Sequence, residues 1–373
     1  MVSFDEIKQQ AKTLGFELLG AAPVEAIGGG WMAPHVERYE TWVKDEQFAS
    51  MKWMANRIEE RVMPEKLLPD VRSALVFWMH HKTPPPPRPA GDVGRVAAYA
   101  WGRDYHNVLR KQLRKLDRWF FQINPDYKRY VSIDTGAVLE RAFGERAGVG
   151  WIGRSTMLIN PSYGTFGSLG VIFVNFEVAT APEAHPFRCG TCRDCIDLCP
   201  TGALTDGRLD ANKCISYWTI EHRGLIPKNV RAGLGEWVFG CDICQDVCPW
   251  NSRAPHADPG VWKPHADRAW PKLGEWINTP SDALEDTLIG SPLRRAKGTG
   301  LRRNAMIAAA NLRFTTLLPM IEEVLETDDD PVLRATAAWA ALTLGSETAA
   351  ARARSDQDEM VRNEVYDFPG IDS

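Results

Sequence analysis

The sequence lacks the features that mark several common protein classes. No apolar run is long enough to span a bilayer, and no glycine pattern typical of dinucleotide- or phosphate-binding loops is present. The first residues carry acids where an export signal would carry bases, and no twin arginine precedes an apolar run. We therefore expect a cytoplasmic protein that does not associate with a membrane.

The composition is that of an ordinary folded protein. The chain has 373 residues, of which 44% are hydrophobic and 25% are charged, so disorder is not expected. This length allows two or three domains, each with its own core. The formal net charge of −4 neither requires nor excludes a nucleic-acid partner, because local patches decide that.

The cysteines form two groups, and none is left over. The first group matches the C-x-x-C-x-x-C-x-x-x-C-P run of bacterial ferredoxins: Cys189, Cys192, Cys195, Cys199 and Pro200. The second group ends in the same Cys-Pro pair: Cys214, Cys241, Cys244, Cys248 and Pro249. Three closely spaced cysteines wrap one cubane cluster, while the next is carried away by a helix toward a second cluster. The spacing predicts a ferredoxin-like electron relay with two 4Fe-4S clusters.

Each cluster is expected to take ligands from both groups. The first cluster is assigned Cys189, Cys192, Cys195 and Cys248. The second cluster is assigned Cys199, Cys214, Cys241 and Cys244. The long interval between the second and third of these interrupts the compact two-cluster pattern, so the pairing there stays open. Zinc sites and disulfides are the alternatives, but zinc favours isolated C-x-x-C pairs and disulfides favour short secreted chains.

Strands and helices alternate before the cysteines, which predicts an α/β or α+β domain over residues 1–178. Apolar spacing indicates a helix ending near Gly15, another from Tyr39 to Arg61, and a strand from Leu75 to Met79. Asp104 is predicted to cap a further helix that has one apolar face. The rest of that helix carries five cations: Arg110, Lys111, Arg114, Lys115 and Arg118. They form either an ordinary solvated face or a contact for nucleic acid.

Asp134 follows a predicted strand and precedes the segment TGAVLERAFGERAG, which is predicted to be helical. Functional sites collect at such strand ends in α/β folds. The alternative role for Asp134 is a cap of the following helix, shared with Thr135.

The remaining segments are predicted to form a ferredoxin-like domain (179–255), a connector (256–290) and a helical domain (291–373). A helix, a short turn and a second helix that begins at Asp-Pro are typical of HEAT-type repeats. The segment SPLRRAKGTGLRRN, which leads into these helices, contains five cations that are predicted to form a basic patch: Arg294, Arg295, Lys297, Arg302 and Arg303. The tail after Arg354 is expected to be frayed.

Six segments, taken in order, closely resemble the epoxyqueuosine reductase family: EERVMPEKLLPDVRSALVF, WGRDYHNVLRKQL, SIDTGAVLERAFGERAGVGWIGRSTMLI, CGTCRDCIDLCPTGAL, CISYWTIEHRG and GCDICQDVCPWN. The resemblance covers nearly the whole chain. It implies a cobalamin-dependent iron–sulfur enzyme that reduces the epoxide of epoxyqueuosine at the tRNA wobble position to give queuosine. It also implies that the first domain is a nitroreductase-like layer similar to the cobalamin-binding domain of reductive dehalogenases.

The same resemblance implies site residues. Asp134 would be the proton donor and would also contact the corrinoid. The other residues expected to line the corrinoid are Arg61, Ala97, Leu158, Leu169 and Ser216. The residues expected to contact the tRNA are Tyr105, His106, Arg141, His222 and Arg223. A surface ion pair for Arg61, a structural histidine for His106 and an ordinary helix arginine for Arg141 are the alternatives.

Two features of the sequence bear on the implied chemistry. Corrinoid enzymes with a histidine lower ligand use D-x-H-x-x-G, whereas the nearest match, Asp104 to Leu109, lacks the glycine. We therefore expect cobalamin to bind base-off, with no protein histidine on cobalt. Breaking the epoxide carbon–oxygen bond is easier when the oxygen is protonated, which requires a carboxylic acid with a raised pKa. Asp134 is the candidate for that acid.

Two other functions stay open at this point. One is a reductive dehalogenase-like corrinoid enzyme, against which the missing twin arginine and the basic HEAT-like tail argue. The other is an electron-transfer ferredoxin module, which would need neither the acid nor a large first domain. The expected partners are tRNA carrying epoxyqueuosine and an unidentified electron donor, and the expected oligomeric state is a monomer.

Overall fold

The computed structural model describes residues 3–24, 30–178, 184–366 and 368. Within these residues the strands are β1 (Leu18–Pro23), β2 (Ser73–His80), β3 (Arg95–Val96), β4 (Arg129–Ser132), β5 (Trp151–Ile152), β6 (Leu158–Ile159), β7 (Gly167–Val174), β8 (Leu204–Thr205), β9 (Arg208–Leu209) and β10 (Trp237–Phe239). The first helices are α1 (Phe4–Thr13), α2 (Ala33–Lys44), α3 (Ile58–Val62), α4 (Tyr105–Ile123), α5 (Glu140–Arg146), α6 (Asp194–Asp197), α7 (Ile215–Ile220), α8 (Lys228–Arg231) and α9 (Ile243–Asp246). The later helices are α10 (Pro259–Trp262), α11 (Ala266–Ala269), α12 (Leu273–Asn278), α13 (Ser281–Thr287), α14 (Lys297–Asn311), α15 (Leu318–Thr327), α16 (Pro331–Thr343), α17 (Ala349–Arg354) and α18 (Glu359–Tyr366). None of the helices in the described ranges is both long and apolar enough to cross a bilayer.

The chain divides into two compact units. Unit 1 comprises Met1–Pro84, Asp104–Asn212 and Ile243–Trp262, and unit 2 comprises Pro85–Arg103, Lys213–Asp242 and Lys263–Ser373. The predicted domain boundaries after residues 178, 255 and 290 stay a prediction. The first of them adjoins residues 179–183, which lie outside the described residues.

Unit 1 is built around a four-stranded antiparallel sheet in the order β1-β2-β7-β4. The central strand β2 is buried along its whole length, because its alternating side chains enter two different cores. Leu75 and Phe77 pack with the apolar stripe of α4, whereas Val76 and Trp78 pack with Phe143 of α5. The antiparallel pairing makes this unit α+β, which decides between the two predicted classes.

Helix α4 confirms the sequence prediction closely. Asp104 is its N-cap and accepts a hydrogen bond from the backbone N–H of His106. The residues of its apolar stripe are all buried: Leu109, Leu113, Leu116 and Phe120. The five cations on the rest of its surface are all exposed: Arg110, Lys111, Arg114, Lys115 and Arg118. The helix therefore presents a basic face beside β4, which is an edge strand of the sheet.

Three predictions of secondary structure were wrong. The segment 39–61 is not one helix, because α2 ends at Lys44 and α3 begins at Ile58. The helix after Asp134 begins at Glu140, so residues 134–139 form a loop and the N-cap is Leu139. Asp134 therefore does not cap that helix. The tail after Arg354 is not frayed over its described part, because α18 buries Val361 and Val365.

Unit 2 is mostly helical. Helix α14 is buried on nearly all sides and contacts α12, α13 and α16 as well as strand β10. Strand β10 pairs in parallel with β3. The region predicted as a connector without periodicity contains helices α11 to α13 in this unit, with Trp276 buried among them. Helices α15 to α18 complete the unit through contacts centred on α16.

Candidate functional site

Asp134 lies in the loop directly after β4, in a backbone conformation that is uncommon for residues other than glycine. Its φ angle is 60°, which is in the left-handed region. Its backbone N–H donates to Oε1 of Glu140 at 2.8 Å, and the hydroxyl of Ser132 donates to the same oxygen at 2.7 Å. A Cβ at Gly136 would lie 2.1 Å from the Ser132 hydroxyl oxygen, so the loop requires glycine there. Glu140 thus holds the loop that presents the Asp134 carboxyl.

The first turn of α4 brings two of the predicted residues to Asp134. The hydroxyl of Tyr105 donates to Oδ2 of Asp134 at 2.8 Å. Nε2 of His106 lies 3.3 Å from the same oxygen, and its Nδ1 lies 2.8 Å from Oδ1 of Asp104. The side chain of Asp134 is 61% exposed, although many protein atoms surround it. Within the described chain both contacts fall on Oδ2, so Oδ1 is the oxygen available to a substrate.

The protonation of this cluster differs from the sequence expectation. Burial acts to raise the pKa of Asp134, but the hydrogen bonds from His106 and Tyr105 and the charges of His106 and Arg141 outweigh it and lower that pKa. Burial acts to lower the pKa of His106, but its hydrogen bonds to Asp104 and Asp134 raise that pKa to about 9. The carboxyl is therefore ionised, and the imidazole protonated, at neutral pH. The expected raised pKa of Asp134 was wrong for the site without substrate.

Glu140 and Arg141 extend the cluster. Burial and the nearby charge of Asp134 raise the pKa of Glu140 to about 7, against the lowering effect of its hydrogen bonds from Ser132 and Asp134. Arg141 donates from Nη1 to the backbone carbonyl of Thr156 at 2.6 Å, and its side chain remains exposed. The guanidinium is thus tethered at one edge of the site while part of it stays accessible.

The residues predicted to line a corrinoid are divided between the two units. In unit 1, Arg61 donates to the backbone carbonyls of Gly136 and Trp53, each at 3.3 Å, and its buried Nε has no partner within the described residues. Leu158 is buried against the position of Gly144, so its contribution is packing, and Leu169 is partly exposed on β7. An unpartnered guanidinium N–H next to the Asp134 loop fits a macrocycle that carries amide acceptors.

The other two predicted corrinoid contacts belong to unit 2. Ala97 is buried, and its backbone N–H donates to the carbonyl of Phe239 at 2.9 Å. Ser216 lies in the first turn of α7, directly after Cys214 and Ile215. Both roles stay predictions.

Four cysteines of unit 1 line one cavity, and they are the four assigned to the first cluster: Cys189, Cys192, Cys195 and Cys248. Arg154 and Trp250 complete its wall. No disulfide joins any of the cysteines, all of which lie in described ranges. Burial and the three neighbouring thiols raise the pKa of Cys195 to about 11, so this thiol becomes a thiolate at neutral pH only where bound cations supply positive charge.

This donor set fits a cubane cluster. Among the described residues, no three His, Cys, Asp or Glu side chains are arranged to hold a single metal ion. A cubane takes one thiolate on each of four irons, and four thiols surround this cavity. Of the second predicted set, Cys199 and Cys244 lie in unit 1, the first just after α6 and the second within α9, which contacts α6. Cys214 and Cys241 lie in unit 2. That ligand set stays a prediction.

A basic groove runs beside the Asp134 loop in unit 1. It has a volume of about 280 Å³, and its lining includes Arg110, Arg114, Asp117, Arg129 and Thr135. Arg129 pairs with Asp117, Nε to Oδ1, at 2.7 Å. Arg110 and Arg114 form no ion pair with any described residue. The groove therefore offers two uncompensated guanidinium groups next to the residue that follows Asp134.

The predicted tRNA contacts in unit 2 are less available. His222 is partly buried, its Nε2 lies 3.0 Å from the carbonyl of Leu225, and burial lowers its pKa. Arg223 is exposed but donates to the carbonyls of Ile220 and Arg295. The predicted basic patch was wrong for two members, because Arg302 and Arg303 are only 7% and 1% exposed.

Two residues of the site were not predicted for the roles they have. Asp104 was recognised as a helix cap, but its side chain also binds the ring of His106. A histidine two residues after a capping aspartate is the signal for this contact. Glu140 gave no signal, because its partners lie six and eight residues away across a loop whose path no pattern shows.

Comparison with known proteins identifies relatives of the whole chain. Residues 61–135 match the family described as Epoxyqueuosine reductase QueG, DUF1730, and residues 188–251 match the 4Fe-4S double cluster binding domain. The chain is 39% identical to the epoxyqueuosine reductase of Synechocystis over 79% of this chain and 100% of that one. It is 32% identical to the epoxyqueuosine reductase of Bacillus cereus over 93% of this chain and 91% of that one.

A solved structure shares the fold over nearly the full length. It is an epoxyqueuosine reductase crystallised with an epoxyqueuosine-modified tRNA-Tyr stem loop, and the TM-score is 0.89 at 28% identity. The alignment covers 97% of this chain and 96% of that one. The mixed helix and strand architecture and the 4Fe-4S double-cluster domain are therefore features of this chain.

Proposed function

The chain belongs to the epoxyqueuosine reductase family, and we propose that it reduces the epoxide of epoxyqueuosine at the wobble position of tRNA to give queuosine. The observation that carries the proposal is the Asp134 carboxyl, whose Oδ2 is held by Tyr105 and His106 while Oδ1 is open. A carboxyl with one oxygen held and the other accessible can protonate a leaving oxygen once a neighbouring group has given it a proton. The relative crystallised with a modified tRNA stem loop supports this choice of substrate.

The reaction consumes two electrons and two protons for each epoxide. We propose that two 4Fe-4S clusters deliver the electrons one at a time, the first on Cys189, Cys192, Cys195 and Cys248. The second would use Cys199, Cys214, Cys241 and Cys244. The four-thiol cavity supports the first set. The electron donor is a separate, unidentified protein or reductant.

Cobalamin is the proposed second cofactor, and when bound it supplies a strong nucleophile for the difficult carbon–oxygen step. The residues that would hold it are Arg61, Ala97, Asp134, Leu158, Leu169 and Ser216. His106 is engaged by Asp104 and Asp134 at both ring nitrogens, which supports binding without a histidine on cobalt. Asp134 would hold the proton at the leaving oxygen, and Glu140 would fix the loop that aims it.

The tRNA would be bound through phosphates on one side and the splayed-out base on the other. The exposed cations of α4 and the basic groove support a backbone contact next to Asp134. Tyr105, His106 and Arg141 border the proposed base pocket, and Arg223 would add a contact from unit 2. His222 would also contact the tRNA, with its Nε2 held 3.0 Å from the carbonyl of Leu225.

Finer features of the architecture belong to the same proposal. The four-stranded sheet of unit 1 with helices on both faces supports a nitroreductase-like layer. The successive contacting helices α15 to α18 support HEAT-like repeats. A cytoplasmic monomer is the proposed working form.

The test is turnover by the purified full chain. The protein is reconstituted with iron, sulfide and cobalamin, given a chemical reductant, and incubated with tRNA that carries epoxyqueuosine. Mass spectrometry of the released nucleosides should show queuosine, with one oxygen fewer. Corrin absorption without turnover on tRNA, together with dehalogenation of an organohalide, would refute the proposal in favour of a dehalogenase.

A further inference from the structure

His106 occupies a position that the proposed reaction does not by itself require. Its Nδ1 lies 2.8 Å from Oδ1 of Asp104, and its Nε2 lies 3.3 Å from Oδ2 of Asp134. The same oxygen of Asp104 accepts the backbone N–H of His106 at 2.8 Å, so the helix cap and the ring contact share one acceptor. An imidazole with a carboxylate at each nitrogen can donate to both only when it carries two protons.

We propose that His106 stores the proton that Asp134 delivers to the leaving oxygen, and that Asp104 keeps that proton in place. The inference rests on the proposed function and assigns His106 a role beyond contact with the substrate. It acts through Asp134, as a positioning residue that also supplies the proton. Asp104, two residues earlier, then has a purpose beyond capping α4.

The charges that face this ring support the assignment. Asp104, Tyr105 and Asp134 contact or stack on it, with the Tyr105 ring centroid at 4.0 Å. The charge of Arg141 lowers the pKa of Asp134, and the charge of Asp134 raises the pKa of Glu140. Two carboxylates therefore bracket a ring whose side chain is only 22% exposed. The raised pKa of His106 and the lowered pKa of Asp134 agree that the shared proton rests on the imidazole.

The step balances in protons and electrons. When the carbon–oxygen bond breaks, its electron pair stays on oxygen, and the electrons of the reduction come from the cluster relay. The Asp134 carboxyl is ionised at rest, so the Nε2 proton of His106 first passes to Oδ2. The carboxylic acid formed in this way protonates the leaving oxygen and is ionised again, while the imidazole ends neutral and Asp104 keeps its hydrogen bond to Nδ1. Solvent supplies the second proton of the reduction and reprotonates His106 for the next turnover.

The first test measures the proton directly and needs no turnover. The full chain, with its clusters oxidised, is labelled with ¹⁵N-histidine and titrated by NMR, and His106 is identified by the signal missing in His106→Gln. The inference expects His106 to stay doubly protonated at neutral pH and to titrate above pH 8, consistent with its pKa of about 9. A neutral His106 ring at pH 7 would overturn it.

The second test uses Asp104→Asn, because asparagine caps a helix about as well as aspartate. That variant keeps an oxygen acceptor but removes the charge beside Nδ1. The alkaline limb of the pH–rate profile should move to lower pH, with tRNA affinity unchanged. His106→Gln should lose roughly 10²-fold or more in turnover, the range typical of a general acid–base group. An unchanged pH profile in Asp104→Asn would refute the proton store.

These outcomes separate the inference from the proposed function. Native protein that makes queuosine while Asp104→Asn and His106→Gln keep its rate and pH profile would leave the function standing and reject the inference. Native protein that makes no queuosine would reject the function itself. The NMR titration still decides where the proton resides if either variant fails to fold.

Discussion

Helices α4 and α14 contain similar arginine-rich sequences, and the protein uses them in opposite ways. The five cations of α4 are exposed, and no described residue forms an ion pair with Arg110 or Arg114. In α14, Arg303 is 1% exposed and donates to the backbone carbonyls of Trp218 and Gly224 at 2.9 and 2.6 Å. The arginine content of a helix therefore does not show whether it can bind nucleic acid. The neighbouring residues show it, because they determine whether the arginines are exposed or buried.

The accompanying residues explain the difference physically. Helix α4 has a single apolar stripe, so the rest of its surface faces water. Helix α14 continues into the run AMIAAA, which leaves no polar face, and a helix that is apolar on all sides is buried. Its arginines are buried with it and must find partners, as Arg302 does with Asp328, Nη1 to Oδ2, at 2.7 Å.

Removing a buried arginine should have the largest effect. We expect Arg303→Ala to lower the free energy of unfolding by about 3 kcal/mol or more, because several backbone carbonyls lose their donor. Urea titration of the variant measures this. Arg118→Ala, on the exposed face of α4, is the control and should change the stability by less than about 0.5 kcal/mol. Equal effects of the two substitutions would contradict the contrast between the helices.

The same contrast applies to two histidines, and it predicts a dependence on pH. The folded-state pKa of His106 is raised to about 9 by Asp104 and Asp134, against the effect of burial, whereas burial lowers the pKa of His222. His106 therefore contributes stability that is fully present below its unfolded pKa of about 6.5 and is lost as pH rises through about 9. His222 has the opposite effect. Its lowered pKa means that the folded state favours the neutral ring, so the folded protein loses stability as pH falls below about 6.5.

Unfolding of two variants over a pH series measures this. The destabilisation caused by His106→Gln should be largest near pH 6 and should shrink toward pH 10. His222→Gln should show no such alkaline decline. A loss from His106→Gln that does not vary with pH would mean that the ring carries no stabilising charge.

The exposed cations of α4 should affect binding without affecting folding. We expect the double change Arg110→Ala and Arg114→Ala to leave unfolding within about 0.5 kcal/mol of the native value. The magnitude of the slope of log affinity for tRNA against log salt should fall by about 1.5 to 2. Two phosphate contacts are lost, so binding releases fewer counterions.

The matched control for that experiment removes two exposed lysines from helix α1, Lys8→Ala and Lys12→Ala. The control has the same change in net charge, and its salt slope should stay at the native value. Equal slopes for the two double variants would show that the groove does not contact the tRNA.

Local patterns predicted most of the architecture near the site. The cap at Asp104, the stripe of α4 and the thiols of Cys189, Cys192 and Cys195 depend on spacing within one helix or loop, which a sequence displays. Arg303 and α18 depend on contacts between distant segments, and Glu140 depends on contacts across an irregular loop. Arg231 and Glu364, for example, form a buried pair 133 residues apart, with both hydrogen bonds at 2.8 Å, and it anchors the tail that was expected to fray. Such pairs leave no periodic signal.

The lowered pKa of Asp134 was also beyond sequence reasoning. The raised value was expected because an acid must hold a proton at neutral pH. In our proposal the task is divided, because His106 holds the proton and Asp134 presents an oxygen 3.3 Å from its Nε2. Charges from three separate segments set the balance, and only the folded chain brings them together.

The central claim is that the Asp134 carboxyl protonates the leaving oxygen, and Asp134→Asn tests it most directly. Single-turnover formation of queuosine is measured with reconstituted protein in excess over tRNA, beside Asp126→Asn, an exposed carboxyl on the loop before β4. Asp134→Asn should retain cluster and corrin absorption and tRNA affinity but lose roughly 10²-fold or more in rate, while Asp126→Asn stays at the native rate. A native rate in Asp134→Asn would contradict the account.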